Sequence, residues 1–249
     1  MPCDGLFVVG TDTGVGKTFI SVAIARRLRE LGGRVGAYKP AASGAEQTSA
    51  GRIWTDVSNL SAALDDQFPH DRVCPQRFVA PVAPPVAARL EGRQVDESLL
   101  IDGLHWWSDQ VEALIIEGVG GLLSPLSDTL SVADFAGRVG CPLLIVGRLG
   151  LGTINHTLLT VEAALQRDLP VAGVVLNQTS ADEPDLSAAT NPQELARRLP
   201  VPLLGVIPHT STADLLRLDS FLGVHWRSLM KPSRTLAGNA NREAVRKVQ

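Results

Sequence analysis

The stretch Gly10-Thr11-Asp12-Thr13-Gly14-Val15-Gly16-Lys17-Thr18 combines residue types suited to holding a chain of phosphates. Glycines let the backbone fold around an anion, and successive N–H groups turn partial positive charge inward. The Lys17 ammonium can bridge the outer phosphates, and the Thr18 hydroxyl can take one position on Mg²⁺. Gly14, Val15, Gly16, Lys17 and Thr18 are therefore the expected nucleotide contacts. The spacing varies on G-x-x-x-x-G-K-[ST]: counting back from Gly16, the usual first glycine falls at Thr11, whereas Gly10 stands one residue earlier.

Other candidates stand where apolar runs stop. Glu117 closes the run 113–116, which predicts a carboxylate at a strand's carboxyl end, close enough to the loop to hold Mg²⁺ directly or through water. Asp56 precedes Val57 and Leu60, and by type alone suits a helix N-cap as well as a metal ligand. Pro40 keeps Lys39 out of a regular helix, and by type alone Lys39 reads as surface charge. Asn177 ends another apolar run and by itself fits a turn. His70, His105, His156, His209 and His225 are scattered and predict structural roles rather than a catalytic pair. Trp106 and Trp107 fall in a helical pattern and are expected in core or subunit packing.

These residues need a scaffold. Short apolar runs at 6–9, 35–38, 113–116, 142–146, 171–176 and 202–207 predict strands, and helical spacing covers 18–31, 132–138 and 154–166. Runs that are continuous rather than alternating predict strands covered on both faces. The expected fold class is therefore α/β: a doubly wound, mostly parallel sheet with helices on both faces, its ligands at the strands' carboxyl ends. The segments 43–55, 81–85 and 179–192 interrupt the rhythm and predict loops, the last preceding another short helix. The stretch 225–249 carries six Lys and Arg against Glu243 alone, and predicts a solvated, loosely held tail.

With 249 residues, 45% hydrophobic and 20% charged, one large domain can bury a full core without staples. A net charge of −3 gives no reason to expect nucleic acid or an anionic membrane as partner. Cys3, Cys74 and Cys141 have neither disulfide-framework nor zinc spacing, which fits a reduced cytoplasm. No apolar run approaches the roughly 18–20 residues of a membrane span.

Two classes of phosphate-loop protein share these features. Partition-type ATPases with a deviant loop carry a second lysine where Asp12 stands, and Asp12 cannot act on a neighbour's nucleotide in its place. A nucleotide-dependent switch of that class is the alternative reading, and Asp12 argues against it. Residues 10–18 instead match G-T-D-T-x-V-G-K-T throughout. Tyr38-Lys39-Pro40-Ala41-Ala42-Ser43-Gly44 fits Y-K-P-x-x-S-G, and Glu117-Gly118-Val119-Gly120-Gly121 is close to E-G-A-G-G. With Pro125-Leu126-Ser127-Asp128 and Ile154-Asn155-His156 following in order, the sequence resembles the dethiobiotin synthetase family over roughly residues 5–210.

The resemblance implies a single phosphate-loop ligase domain over 1–220, followed by the basic tail 221–249, with ATP as cosubstrate and Mg²⁺ as cofactor. The implied reaction joins CO₂ and 7,8-diaminononanoate into a cyclic urea through a phosphorylated carbamate. Thr13, Lys17, Lys39 and Ser43 would surround the carbamate and the transferred phosphoryl group, and Thr18, Asp56 and Glu117 would hold the metal. Asn177 and Pro208 would frame the adenine. Gly120 and Gly121 would meet the diamine, and the helix start with Thr153 and Asn155 its distant carboxylate, shared with the partner of a homodimer. Two positions depart from the family: Gly14 stands where some members carry an acid, and Pro85 where others carry a histidine.

Overall fold

The computed structural model describes residues 4–49, 51–181 and 186–231. Its centre is a six-stranded sheet of β1 (Asp4–Gly10), β2 (Val35–Tyr38), β3 (Ala113–Gly121), β4 (Leu143–Arg148), β5 (Val171–Asn177) and β6 (Leu203–Ile207). The order is β6-β5-β4-β1-β3-β2, and every pairing is parallel. All six predicted apolar runs lie in these strands to within a residue at either end, except that β1, β3 and β4 run longer. The reason is visible in β1, where Leu6, Phe7, Val8 and Val9 are all fully buried.

Around the sheet lie helices α1 (Lys17–Glu30), α2 (Thr55–Ala63), α3 (Pro84–Leu90), α4 (Glu97–Trp107), α5 (Val132–Val139), α6 (Thr153–Leu165) and α7 (Leu186–Arg198). The chain builds β2 and β3 on one side of β1 before crossing to β4, β5 and β6 on the other. The order therefore reverses at β1, and the crevice at its carboxyl end receives the phosphate loop. Among the described residues no helix is long and apolar enough to cross a membrane.

Four details differ from expectation, each for a physical reason. Strand β3 continues through Glu117 to Gly121, because the buried carboxylate finds donors and the glycines permit close packing; a Cβ on Gly118 would stand 2.9 Å from Val132 Cγ1. Within 43–55 the chain forms an antiparallel hairpin, Glu46–Thr48 with Gly51–Ile53. Pro84 and Pro85 open α3 instead of extending a loop, since the first helical positions need no N–H donor. Pro192 lies inside α7 rather than before it: Asn191 Nδ2 donates to the Gly150 carbonyl at 2.8 Å, and buried Leu195 anchors the far side, so tertiary contacts outweigh the missing backbone bond.

The first part of the expected tail packs onto the core. Phe221, Trp226 and Met230 are buried, and Gly5 N–H donates to the Met230 carbonyl at 3.2 Å. The remainder of the tail, 232–249, lies outside the described residues. Trp107 is a fully buried core residue whose indole N–H donates to the Arg72 carbonyl, and Trp106 is half-buried beside it.

Candidate active site

Helix α1 starts without a side-chain cap. Its N-cap is Gly16 at φ +92°, so its first N–H groups are left to an anion rather than to a hydroxyl. Gly14 also has positive φ, +71°, a backbone that an acidic side chain would strain. A Cβ on Gly10 would stand 2.5 Å from the Asp12 carbonyl and 2.9 Å from Lys17 Nζ, which explains the glycine one residue before its usual place. Asp12 works within the loop: its carboxylate accepts from Thr13 N–H at 2.6 Å, and its carbonyl accepts from Lys17 Nζ at 3.0 Å.

Behind the loop lies a buried ionic cluster. Lys39 Nζ is 2.6 Å from Asp56 Oδ2 and 2.6 Å from Glu117 Oε1, and the Thr18 hydroxyl donates to the same Glu117 oxygen at 2.7 Å. Lys39 is 3% exposed and Glu117 fully buried, so Lys39 is not the surface charge its type alone suggests. Burial pulls the Lys39 ammonium down, but Glu117 and Asp56 outweigh it and hold its pKa above the ordinary lysine value. Burial likewise lowers Lys17, here to about 8, against the opposing pull of Glu117. For Asp56 burial pushes upward and Lys39 more than offsets it, leaving the carboxyl below its usual range.

This donor set fits Mg²⁺. It is all oxygen, it joins an acid to the hydroxyl at the start of α1, and Glu117 Oε2 is buried without a hydrogen-bond partner among the described residues.

The glycine turn after Glu117 meets the loop from the side. Gly121 pairs with Gly10, a Cβ on Gly120 would lie 3.4 Å from Thr13 Oγ1, and Ser124 Oγ accepts from Gly121 N–H at 2.9 Å. Ser124 carries no motif signal in the sequence and shapes this turn. Arg148, at the end of β4, donates to the Thr13 carbonyl at 3.5 Å.

Beside Gly14 and Gly16 opens a cleft of ≈ 290 Å³, lined also by Phe19, Asn177, Gln178, Thr179, His209 and Thr210. Asn177 Nδ2 donates to the Val15 carbonyl at 3.0 Å, while its Oδ1 is buried without a hydrogen-bond partner among the described residues. Phe19, Gln178, Thr179, His209 and Thr210 were not legible as lining; the only signal was their position after strand ends or in the first turn of α1. Pro208, adjacent to His209, is exposed.

Three expected contacts stand apart from this cluster. The Thr153 hydroxyl turns inward, 3.3 Å from the Thr157 hydroxyl and facing β4 at Gly147, which leaves only its backbone to a ligand. Asn155 is exposed on the first turn of α6. Ser43 is half-buried at the end of the short strand Ala41–Ser43, which pairs with Gln76–Phe78.

A parallel α/β sheet with a glycine loop opening α1, two buried lysines and a hydroxyl–acid pair defines a phosphate-loop nucleotide-binding protein. Residues 4–214 match the family model described as an AAA domain. Among solved structures, a ParA family ATPase from Chlorobium tepidum is similar over 93% of this chain and 94% of its own, with a TM-score of 0.50 at 16% identity. The Aquifex aeolicus MinC:MinD cell division complex is similar over 92% and 87%, also at 0.50, with 13% identity. At such identities the likeness shows the fold alone.

Sequence relatives are nearer. The ATP-dependent dethiobiotin synthetase BioD of Anaeromyxobacter sp. (strain Fw109-5) is 46% identical over 78% of this chain and 84% of the relative, and that of Bacillus subtilis (strain 168) is 40% identical over 82% and 87%. The chain belongs to the ATP-dependent dethiobiotin synthetase family.

Proposed function

We propose that this enzyme closes the cyclic urea of dethiobiotin from 7,8-diaminononanoate and CO₂ at the expense of ATP, with Lys17 and Lys39 neutralising the reacting anions. One amine attacks CO₂ and loses a proton to give a carbamate. A carbamate oxygen then attacks the γ-phosphorus, ADP leaves, and a mixed carbamic–phosphoric anhydride forms. The second amine attacks the carbonyl carbon, phosphate departs, and loss of its proton leaves a five-membered urea.

The observation that carries this reading is the pair of buried lysines, 7% and 3% exposed, Lys17 on the phosphate loop and Lys39 on the Glu117 oxygen that accepts from Thr18. Carbamate and γ-phosphate repel one another, and fixed ammonium groups in a water-poor pocket lower that repulsion where charge is transferred. Thr13 and Ser43 add hydroxyls to the same groups in this reading, and the backbone at Gly120 and Gly121 meets the diamine. Thr18, Asp56 and Glu117 would hold Mg²⁺, which when bound supplies charge neutralisation on the phosphates. Asn177, whose Oδ1 has no hydrogen-bond partner among the described residues, and Pro208 frame the adenine in this reading.

A homodimer working in the cytoplasm completes the proposal, with the substrate carboxylate at the N-terminus of α6 near the subunit contact. Leu151, 89% exposed, just before that helix start, and Leu159, 56% exposed, in its second turn, are apolar surface that a partner would cover. For Thr153 and Asn155 the support is the uncapped helix start, Gly152 at φ +90°, more than either side chain.

Phosphate release from Mg-ATP in bicarbonate buffer tests the reaction. Release that depends on 7,8-diaminononanoate and yields a cyclic urea by mass is the expected result. Release indifferent to the diamine would restore the switch reading.

A further inference from the structure

We propose that Lys39 is a built-in stand-in for the metal: in the nucleotide-free protein its ammonium keeps Asp56 and Glu117 closed to Mg²⁺, and the metal enters only together with nucleotide, as Lys39 moves off. The inference rests on the metal assignment of Thr18, Asp56 and Glu117 made above.

The geometry makes the two cations exclusive. Lys39 Nζ lies 2.6 Å from Asp56 Oδ2 and 2.6 Å from Glu117 Oε1, and Glu117 Oε1 also receives the Thr18 hydroxyl. Both acids assigned to the metal thus already share one ammonium, and the assigned hydroxyl donates to one of them. Mg²⁺ draws its oxygens to about 2.0–2.1 Å in an octahedron, and it cannot sit between Asp56 Oδ2 and Glu117 Oε1 while Nζ holds that place. Among the described residues Glu117 Oε2 is buried without a hydrogen-bond partner, and a single buried oxygen does not make a magnesium site.

Electrostatics gives the arrangement its purpose. Without a cation, the fully buried Glu117 would stand beside the like charge of the half-exposed Asp56 with only the Thr18 hydroxyl donating to it. Lys39 removes that penalty. Lys17, Lys39, Asp56 and Glu117 together carry no net formal charge, so Mg²⁺ entering alone would leave an uncompensated double charge in a buried space. A metal arriving with a polyphosphate brings its own anions. These also give Lys39 a new partner, which reconciles its present position on two carboxylates with its proposed role at the carbamate and phosphoryl group.

Mn²⁺ titration followed by the electron paramagnetic resonance of the free ion tests the proposal. Wild-type protein without nucleotide is expected to show no saturable site in the range where added ADP creates one. Lys39→Met should acquire a nucleotide-independent site, at least roughly tenfold tighter than any in wild type, and the double variant Lys39→Met/Glu117→Gln should lose it again. ADP-induced melting shifts check that each variant is folded.

Tight nucleotide-free binding by wild type, or a folded Lys39→Met that gains nothing, overturns the proposal. Should Lys39→Met fail to fold, wild-type crystals soaked in Mn²⁺ without nucleotide decide: anomalous signal at Glu117 overturns it, and Lys39 still seated on both carboxylates supports it. Failure of the metal assignment has its own signature. If Glu117→Gln leaves Mn²⁺ affinity unchanged in the presence of ADP, the assignment falls, and the stand-in with it.

Discussion

At the carboxyl ends of its central strands the sheet buries Lys17, Lys39 and Glu117; at the opposite ends the chain buries Phe221, Trp226 and Met230. The two ends share β1, whose Gly10 leads into the phosphate loop and whose Gly5 is tied to Met230. Charges held out of water cost stability unless every partner is in place, and the proposed reaction gives the site end a use for fixed, desolvated cations. Apolar closure at the far end supplies stability without constraining the site. The difference predicts that stability and turnover can be separated by where the chain is cut back.

The largest expected effect on stability lies at the far end. Trp226 is 3% exposed, its indole N–H donates to the Phe221 carbonyl at 3.2 Å, and the two rings pack with centroids 5.0 Å apart. Trp226→Ala should cost about 3–5 kcal/mol in urea unfolding, with turnover per folded molecule unchanged. Equal loss of turnover would show that the two ends are mechanically coupled.

At the site end the order of effects reverses. Lys39→Ala is expected to lower turnover by at least about a thousandfold, as for loss of a charge-stabilising donor, while ADP still binds through the loop and Lys17. Equilibrium titration with ADP beside steady-state turnover checks this. Turnover like that of wild type would remove Lys39 from the chemistry and leave it a structural ion-pair partner.

The same contrast explains what the sequence could reveal. Strands built from continuous apolar residues announce themselves, and so does a glycine loop before a helix. Glu117 reads as a strand end because a charged residue normally stops an apolar run; its place inside β3 depends on donors from Thr18 and Lys39, which are 99 and 78 residues away in the chain. Lys39 reads as surface charge for the same reason, and only the family motif singled it out. His209 and Thr210 line the cleft through the meeting of β5, β6 and the loop, a long-range arrangement without local pattern. Residues 221–231 read as tail because the basic excess of 225–249 sets the tone of the whole stretch, while the burial of Phe221, Trp226 and Met230 follows from contacts supplied by the rest of the chain.

A smaller effect calibrates the comparison, because it concerns a polar group at the site end that takes no part in the chemistry. Ser131 caps α5: its hydroxyl accepts from Asp134 N–H at 3.2 Å, and the Asp134 carboxylate accepts from Ser131 N–H at 2.9 Å. Ser131→Ala should cost about 1 kcal/mol at neutral pH and leave turnover intact. The Ser131 hydroxyl, followed by its backbone N–H, holds the Asp134 carboxyl below its ordinary range. A depressed folded-state pKa contributes stability above the unfolded carboxylate value and loses it as pH falls through the folded value. The gap between wild type and variant should therefore be full at neutral pH and shrink below about pH 4, as measured by urea midpoints across that range. Val132, the first residue of α5, packs against Gly118 in β3, one residue beyond Glu117. If turnover fell together with stability in Ser131→Ala, that contact would be transmitting the helix start to Glu117, and the site end would extend one helix further than its charges.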